Sequence, residues 1–187
     1  MSQTPLKILL VEDDLVDQMS FKRMVKTREL PYNYQIANSV ARAKEILSDN
    51  LFDLVLIDYN LGDGTAFDIF DHIVDTPFIF ITGGGDERIA VEAMKAGAFY
   101  YHIKDPDRNY LELLPVSIEK ALREKQMELD QKAAEEALKE SEEKFRTISS
   151  AANDAIIMMD YEGNVTFWNK AAEKIFGYKK SEILKKN

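Results

Sequence analysis

The first 118 residues repeat one pattern five times: a short run of strand-forming side chains, a polar or glycine-bearing break, then apolar residues at helical spacing. The runs are residues 8–11 (ILLV), a weaker one at 34–37 (YQIA), then 54–57 (LVLI), 78–81 (FIFI) and 99–103 (FYYHI). Three of them are four consecutive apolar residues, the pattern of strands buried on both faces. Between them lie Leu15, Val16, Met19, Met24 and Val25; Val40, Ala43 and Leu47; Phe67, Phe70 and Val74; Ala90, Ala93 and Met94; and Leu111, Leu114, Ile118 and Leu122. Each set is spaced like one face of a helix. The alternation predicts an α/β fold: a parallel sheet with helices on both faces, joined by right-handed crossovers.

Sheets of this kind bind ligands at the carboxyl ends of their strands, so the residues leaving each strand carry the functional information. The first strand ends in Glu12, Asp13 and Asp14, the third in Asp58, the fourth in Thr82 and the fifth in Lys104. Carboxylates gathered at one place repel one another unless a cation joins them. The chain has no cysteine and only two histidines, so that cation would have oxygen ligands, which points to Mg²⁺ rather than zinc.

Each of these residue types has a task if Asp58 accepts a phosphoryl group, as carboxylate nucleophiles do. Asp13 would bind the metal directly, Glu12 through water and Asn60 through its backbone carbonyl, with Asp58 completing the set. Lys104 would pair with one phosphoryl oxygen and the Thr82 hydroxyl would hydrogen-bond another, because phosphoryl transfer is mostly positioning and charge neutralisation. Taken singly, each residue has a plainer use as a cap, a packing residue or a solvated charge. Their ordered occurrence at four strand ends favours the joint reading.

Residues 7–14 (KILLVEDD), 53–64 (DLVLIDYNLGDG), 78–82 (FIFIT) and 96–104 (AGAFYYHIK) together resemble the receiver domain of two-component response regulators over about residues 5–122. The resemblance implies a flavodoxin-like, doubly wound, five-stranded parallel sheet in the order 2-1-3-4-5. It further implies phosphotransfer from a sensor histidine kinase or phosphotransfer protein onto Asp58, Mg²⁺ dependence and slow self-catalysed hydrolysis, without turnover of a separate substrate. Tyr101 falls on the family's switch aromatic, whose ring is expected to turn inward as Thr82 moves toward the phosphoryl group.

Two features depart from that family's pattern. Asp105 separates Lys104 from Pro106, where the family usually has proline directly after the lysine in a cis bond, so the turn into the fifth helix is expected to be built differently. Gly83, Gly84 and Gly85 follow Thr82 and make that loop permissive; Gly84 sits two past the threonine, a position that helps set partner choice and dephosphorylation in the family. A Walker-type phosphate loop is excluded by the missing Lys-Ser/Thr pair. His72 and His102 have no phosphodonor context and read as satisfied or solvated imidazoles.

From about Tyr110 to Ser149 there is no glycine, and no proline after Pro115, which predicts one long helix leaving the first domain. Leu111, Leu114, Ile118, Leu122 and Leu129 suit one apolar seam; Met127, Ala134, Leu138, Phe145 and Ile148 suit another, with a change of register between them. A parallel coiled coil joining two chains is favoured over a solvated connector. Beyond it, 155–159 (AIIMM), a turn at Gly163 and Asn164, and 165–168 (VTFW) read as a hairpin. Asn169 and residues 170–176 read as a capped helix ending at Gly177, followed by another helix-like stretch at 181–186. Residues 145–187 resemble the start of a PAS sensor domain, but lack most of the sheet that would enclose a sensory ligand. Trp168 would be core or exposed apolar surface there.

The expected organisation is a receiver at 1–122, a helical linker at 123–147 and an incomplete PAS-like α+β fragment at 148–187. The first 118 residues hold 19 acidic and 11 basic side chains, against −9 for the whole chain, which disfavours direct nucleic-acid binding. No apolar stretch approaches the roughly 20 residues of a membrane span, and a cytoplasmic location is the default. The expected function is a phosphorelay response regulator, signalling through the face of the fourth helix, fifth strand and fifth helix to the long helix of a homodimer and on to a PAS or output module. The alternative is a constitutive, receiver-shaped dimerisation scaffold that takes no phosphate. A dinucleotide-binding enzyme is excluded by three carboxylates where a glycine-rich loop should stand.

Overall fold

A computed structural model describes residues 4–84 and 87–184. These fall into two compact units that divide between Glu128 and Leu129.

The first unit contains five parallel strands: β1 (Leu6–Val11), β2 (Tyr32–Ala37), β3 (Leu54–Asp58), β6 (Phe78–Thr82) and β7 (Tyr100–Ile103). Their order is β2-β1-β3-β6-β7, the 2-1-3-4-5 order of a doubly wound sheet. A two-residue hairpin, β4 (Asn60–Leu61) and β5 (Gly64–Thr65), follows β3. The helices are α1 (Leu15–Thr27), α2 (Val40–Asp49), α3 (Glu87–Lys95) and α4 (Tyr110–Ala151), of which only the first part of α4 belongs to this unit.

Alternation along the strands sends side chains to two separate cores. Val55, Ile57 and Phe80 pack with Ala43 and Ile46 of α2 and Ala93 of α3 on one face; Leu54, Leu56 and Ile79 pack with Phe21 and Val25 of α1 and Leu114 and Ile118 of α4 on the other. The central strands are buried throughout, as their unbroken apolar runs require.

The expected third helix, carried by Phe67, Phe70 and Val74, is absent. Two 3₁₀ turns, Ala66–Asp68 and Phe70–His72, take its place. After Ala66 the segment is all Phe, Asp, Ile, His and Val, residues that lose freedom in a helix or bond their own backbone instead. The Asp68 carboxylate accepts the Thr65 N–H (2.8 Å) and hydroxyl (3.2 Å), and the Asp63 carboxylate accepts the N–H groups of Val40 (2.7 Å) and Ala41 (3.0 Å). These bonds hold the segment as a tight loop instead of a helix. A Cβ on Gly64 would lie 2.8 Å from Asp68 Oδ2 and 3.1 Å from Val40 Cγ2, so a larger residue there would displace the Asp68 carboxylate. The phenylalanines still reach the core, Phe67 against Phe80 (centroids 6.1 Å apart) and Phe70 against Phe78 (4.8 Å).

The turn into α4 is organised by Asp105. The Asp105 carboxylate accepts Asn109 N–H (3.1 Å) and Nδ2 (3.0 Å) at one oxygen and Tyr110 N–H (3.2 Å) at the other, which caps the helix.

Helix α4 is 42 residues long. Leu111, Leu114, Ile118 and Leu122 lie on the receiver core, so that part of the first apolar seam is intramolecular packing and not a chain-to-chain contact. Every residue from 126 to 148 is exposed in the single chain.

In the second unit β8 (Ile157–Met159) and β9 (Val165–Trp168) form an antiparallel hairpin, and α5 (Lys170–Phe176) and α6 (Lys180–Ile183) follow. The Asp160 carboxylate accepts the N–H groups of Glu162 and Asn164 (both 2.9 Å) and closes the turn. Asn169 caps α5 and Gly177 ends it at φ +79°. Trp168 is buried, with its indole N–H on the Tyr178 carbonyl (3.1 Å). The last part of the second helix-like stretch, Lys185 and Lys186, lies outside the described residues.

Candidate functional site

Strand register assembles the site. Val11 pairs with Ile57, Asp58 with Ile81 and Thr82 with Ile103, so Glu12, Asp58, Thr82 and Lys104 leave neighbouring strands at one edge of the sheet. Glu12, Asp13 and Asp58 each offer a carboxylate oxygen within 4.8 Å of the others. Asp14, next in sequence, turns away to cap α1 by accepting Val16 N–H (2.7 Å) and Asp17 N–H (3.0 Å).

Lys104 supplies the balancing charge. Its ammonium lies 2.7 Å from Glu12, 2.9 Å from Asp17 and 3.2 Å from Asp58. Burial opposes that charge, but the hydrogen bonds to Glu12 and Asp17, with the charges of Asp58 and Glu12, hold the ammonium above its ordinary pKa. Burial raises the Glu12 carboxyl to about 7, with Asp58 adding to the effect and Lys104 opposing it. Asp58 is likewise pushed up by burial against the pull of Lys104. Glu12 is anchored further by its backbone carbonyl, which accepts the buried Gln18 amide (2.7 Å).

Three carboxylates at this separation, two of them buried and disfavouring their charged forms, make an oxygen donor set that suits a divalent cation. The residues present fit such an ion.

Thr82 is buried beside this pocket, and its hydroxyl accepts the Gly84 N–H (3.3 Å). Tyr101 stands one strand over, stacked on Phe80 (centroids 6.0 Å apart), with its hydroxyl donating to the Gly84 carbonyl (3.3 Å). Gly84 thereby connects the threonine and the tyrosine; Gly85 lies outside the described residues. Asn60 opens β4 two residues after Asp58, exposed and paired with Thr65. His72 is exposed, whereas His102 is half-buried with Nε2 2.9 Å from the Ser117 hydroxyl, and burial lowers its pKa.

Asp17 is the residue that the sequence pattern did not reveal. It lies on α1 instead of at a strand end, and it reaches Lys104 because Asp14 starts the helix immediately beyond Glu12.

A doubly wound sheet with an acidic pocket and a lysine at its carboxyl edge defines a class of signalling module. Residues 8–114 match the response regulator receiver domain family, and residues 143–187 match the PAS fold. The protein belongs to the response regulator receiver family, with a PAS-fold segment after the receiver. The transcriptional regulatory protein ZraR of Escherichia coli (strain K12) is 32% identical over 126 residues, 65% of this chain and 27% of ZraR. Among solved structures, the non-phosphorylated HemR receiver domain from Leptospira biflexa is 28% identical with a TM-score of 0.54, covering 63% of this chain and 94% of its own. The N-terminal domain of a response regulator/sensory box/GGDEF 3-domain protein from Carboxydothermus hydrogenoformans is 26% identical with a TM-score of 0.55, covering 66% of this chain and 98% of its own. The chain spans only 17% to 27% of the length of the first curated relatives it matches. Among the described residues no helix is long and apolar enough to cross a membrane.

Proposed function

We propose that the protein is a phosphorelay response regulator whose receiver takes a phosphoryl group on Asp58 from the phosphohistidine of a sensor kinase or phosphotransfer protein. The observation that carries this reading is the Lys104 ammonium, 3.2 Å from Asp58 and 2.7 Å from Glu12, at a pocket of three converging carboxylates. An Asp58 oxygen forms the new bond to phosphorus while the phosphorus–nitrogen bond breaks, and the departing imidazole keeps the electron pair and takes a proton. Asp13, Asp58, the Asn60 carbonyl and Glu12 would hold a Mg²⁺ ion, which would supply charge neutralisation when bound. Lys104 and the Thr82 hydroxyl take phosphoryl oxygens, and Tyr101 follows Thr82 through their shared neighbour Gly84.

The signal then passes through the α3–β7–α4 face, as a shift between two existing states, into the long helix. Residues 1–122 act as receiver, 123–147 as a helical linker pairing two chains, and 148–187 as the PAS-like segment that hands on the output. The exposed stretch from 126 to 148, with Leu138 and Ile148 open to solvent, supports that pairing.

Intact-mass measurement after incubation with acetyl phosphate tests the reading. Wild-type protein gains one phosphoryl group with Mg²⁺ and none with a chelator, and Asp58→Asn gains none. A wild-type chain that stays unmodified, and whose mass in light scattering is that of a dimer with or without beryllofluoride, is instead the constitutive scaffold.

A further inference from the structure

Lys104 has a third carboxylate partner that lies outside the acidic pocket. Its contacts to Glu12 and Asp58 are to members of the converging cluster, but the contact to Asp17, at 2.9 Å, is not. Asp17 projects from α1 and is shared between two cations: Oδ2 faces Lys104, while Oδ1 lies 3.4 Å from Arg108 Nε. Arg108 belongs to the turn that starts α4 and is held in the left-handed region at φ +58°, costly for a residue with a side chain. Its N–H donates to the Asp105 carbonyl (2.9 Å), and its own carbonyl accepts the Leu111 N–H (3.1 Å) in the first turn of the long helix.

We infer that Asp17 is a positioning residue that, beside Glu12 and Asp58, holds the Lys104 ammonium in the unphosphorylated protein and must release it to a phosphoryl group, with Arg108 drawing on the same carboxylate through its other oxygen. This rests on the reading of Asp58 as the phosphoryl acceptor. A divalent cation in the pocket neutralises Glu12 and Asp58 and so weakens their hold on Lys104. Asp17 is not in that cluster, so a cation bound there leaves the Asp17 charge facing Lys104. A phosphoryl group on Asp58 presents new oxygens to the ammonium, and Lys104 reaches them by leaving Asp17. Asp17 then turns its charge to Arg108 and tightens its grip on the turn at the root of α4. The coupling is reciprocal: whatever strengthens Asp17–Arg108 frees Lys104 for the phosphoryl group.

Calorimetric titration of the whole chain with the phosphoryl analogue beryllofluoride, at saturating Mg²⁺, tests the tether. Asp17→Asn binds about fivefold more tightly than wild type, Arg108→Gln binds about threefold more weakly, and the double variant matches Asp17→Asn, as expected of contacting residues that act through one another. A merely structural role for Asp17 weakens binding in both single variants and gives an additive double variant. If wild-type protein binds beryllofluoride and Asp17→Asn binds no better, the tether is overturned while the phosphoacceptor reading stands. If wild-type protein takes up none, that reading fails and the tether falls with it. Should Asp17→Asn not fold, Asp17→Ser takes its place, with tighter binding than wild type supporting the tether and equal or weaker binding overturning it.

Discussion

On either side of Glu128 the chain buries its apolar side chains to very different extents. The first unit encloses Ile8, Leu9, Leu54, Leu56, Ile57, Phe80 and Leu114 completely, in two cores separated by a sheet. The second buries Trp168, Ala171 and Ala172, but leaves Met159 65%, Phe176 51% and Tyr178 56% exposed around a two-stranded sheet. Five strands covered on both faces supply the burial that offsets chain entropy, whereas an isolated hairpin is marginal in water. What orders the second unit locally is polar. Asn169 accepts the N–H groups of Ile156 (3.0 Å) and Ala172 (2.9 Å) and donates to the carbonyls of Ser149 (2.9 Å) and Asp154 (3.0 Å).

Separating the units tests this contrast most severely. Residues 1–128 alone should melt in one cooperative transition by circular dichroism, while residues 129–187 alone should show none; a sharp transition in the second piece would break the comparison. Within the first unit, Leu114→Ala should cost about 2 to 5 kcal/mol in urea denaturation, the range for a fully buried leucine.

The next effect is electrostatic. Glu12 has its carboxyl raised from 4.5 to about 7, so its neutral form is favoured by folding. The stability this contributes is fully present below pH 4.5 and is lost as pH rises through 7, amounting to about 3 kcal/mol in the metal-free protein. Stability curves of wild type and Glu12→Gln in chelator should diverge across that window, and parallel curves would remove the effect.

In the second unit, Asn169→Ala leaves two N–H groups and two carbonyls without their amide partner and should cost about 2 kcal/mol. Smallest is Leu138→Ala. The side chain is 62% exposed, so a single chain should lose no more than about 0.5 kcal/mol. A larger loss that grows with protein concentration would show that this stretch of α4 is covered by a second copy.

The five strands and their ends were legible because buried parallel strands write themselves as unbroken apolar runs, and because the fold brings the ends of 8–11, 54–57 and 78–81 to one edge. The hairpin and cap around Asp160, Asn169 and Gly177 were legible for a local reason, since turn and cap chemistry is read within a few residues. Three features were hidden. The spacing of Phe67, Phe70 and Val74 satisfies a helical period, yet Asp68 and Asp63 bond backbone groups that hold the segment in a loop. Leu114 and Ile118 suit a coiled-coil seam as well as a domain core, and only tertiary packing distinguishes the two. Asp17 reaches Lys104 across 87 positions of chain, a proximity that depends on how α1 leaves β1.

The burial of Trp168 has an optical consequence. It is the chain's single tryptophan, packed against Phe176 with its indole N–H on the Tyr178 carbonyl, whereas the tyrosines of β2, β7 and the start of α4 all lie in the other unit. Selective excitation of the indole therefore reports on the PAS-fold segment alone. Any change in its emission when beryllofluoride and Mg²⁺ are added would register a response in that segment, without a label having been added.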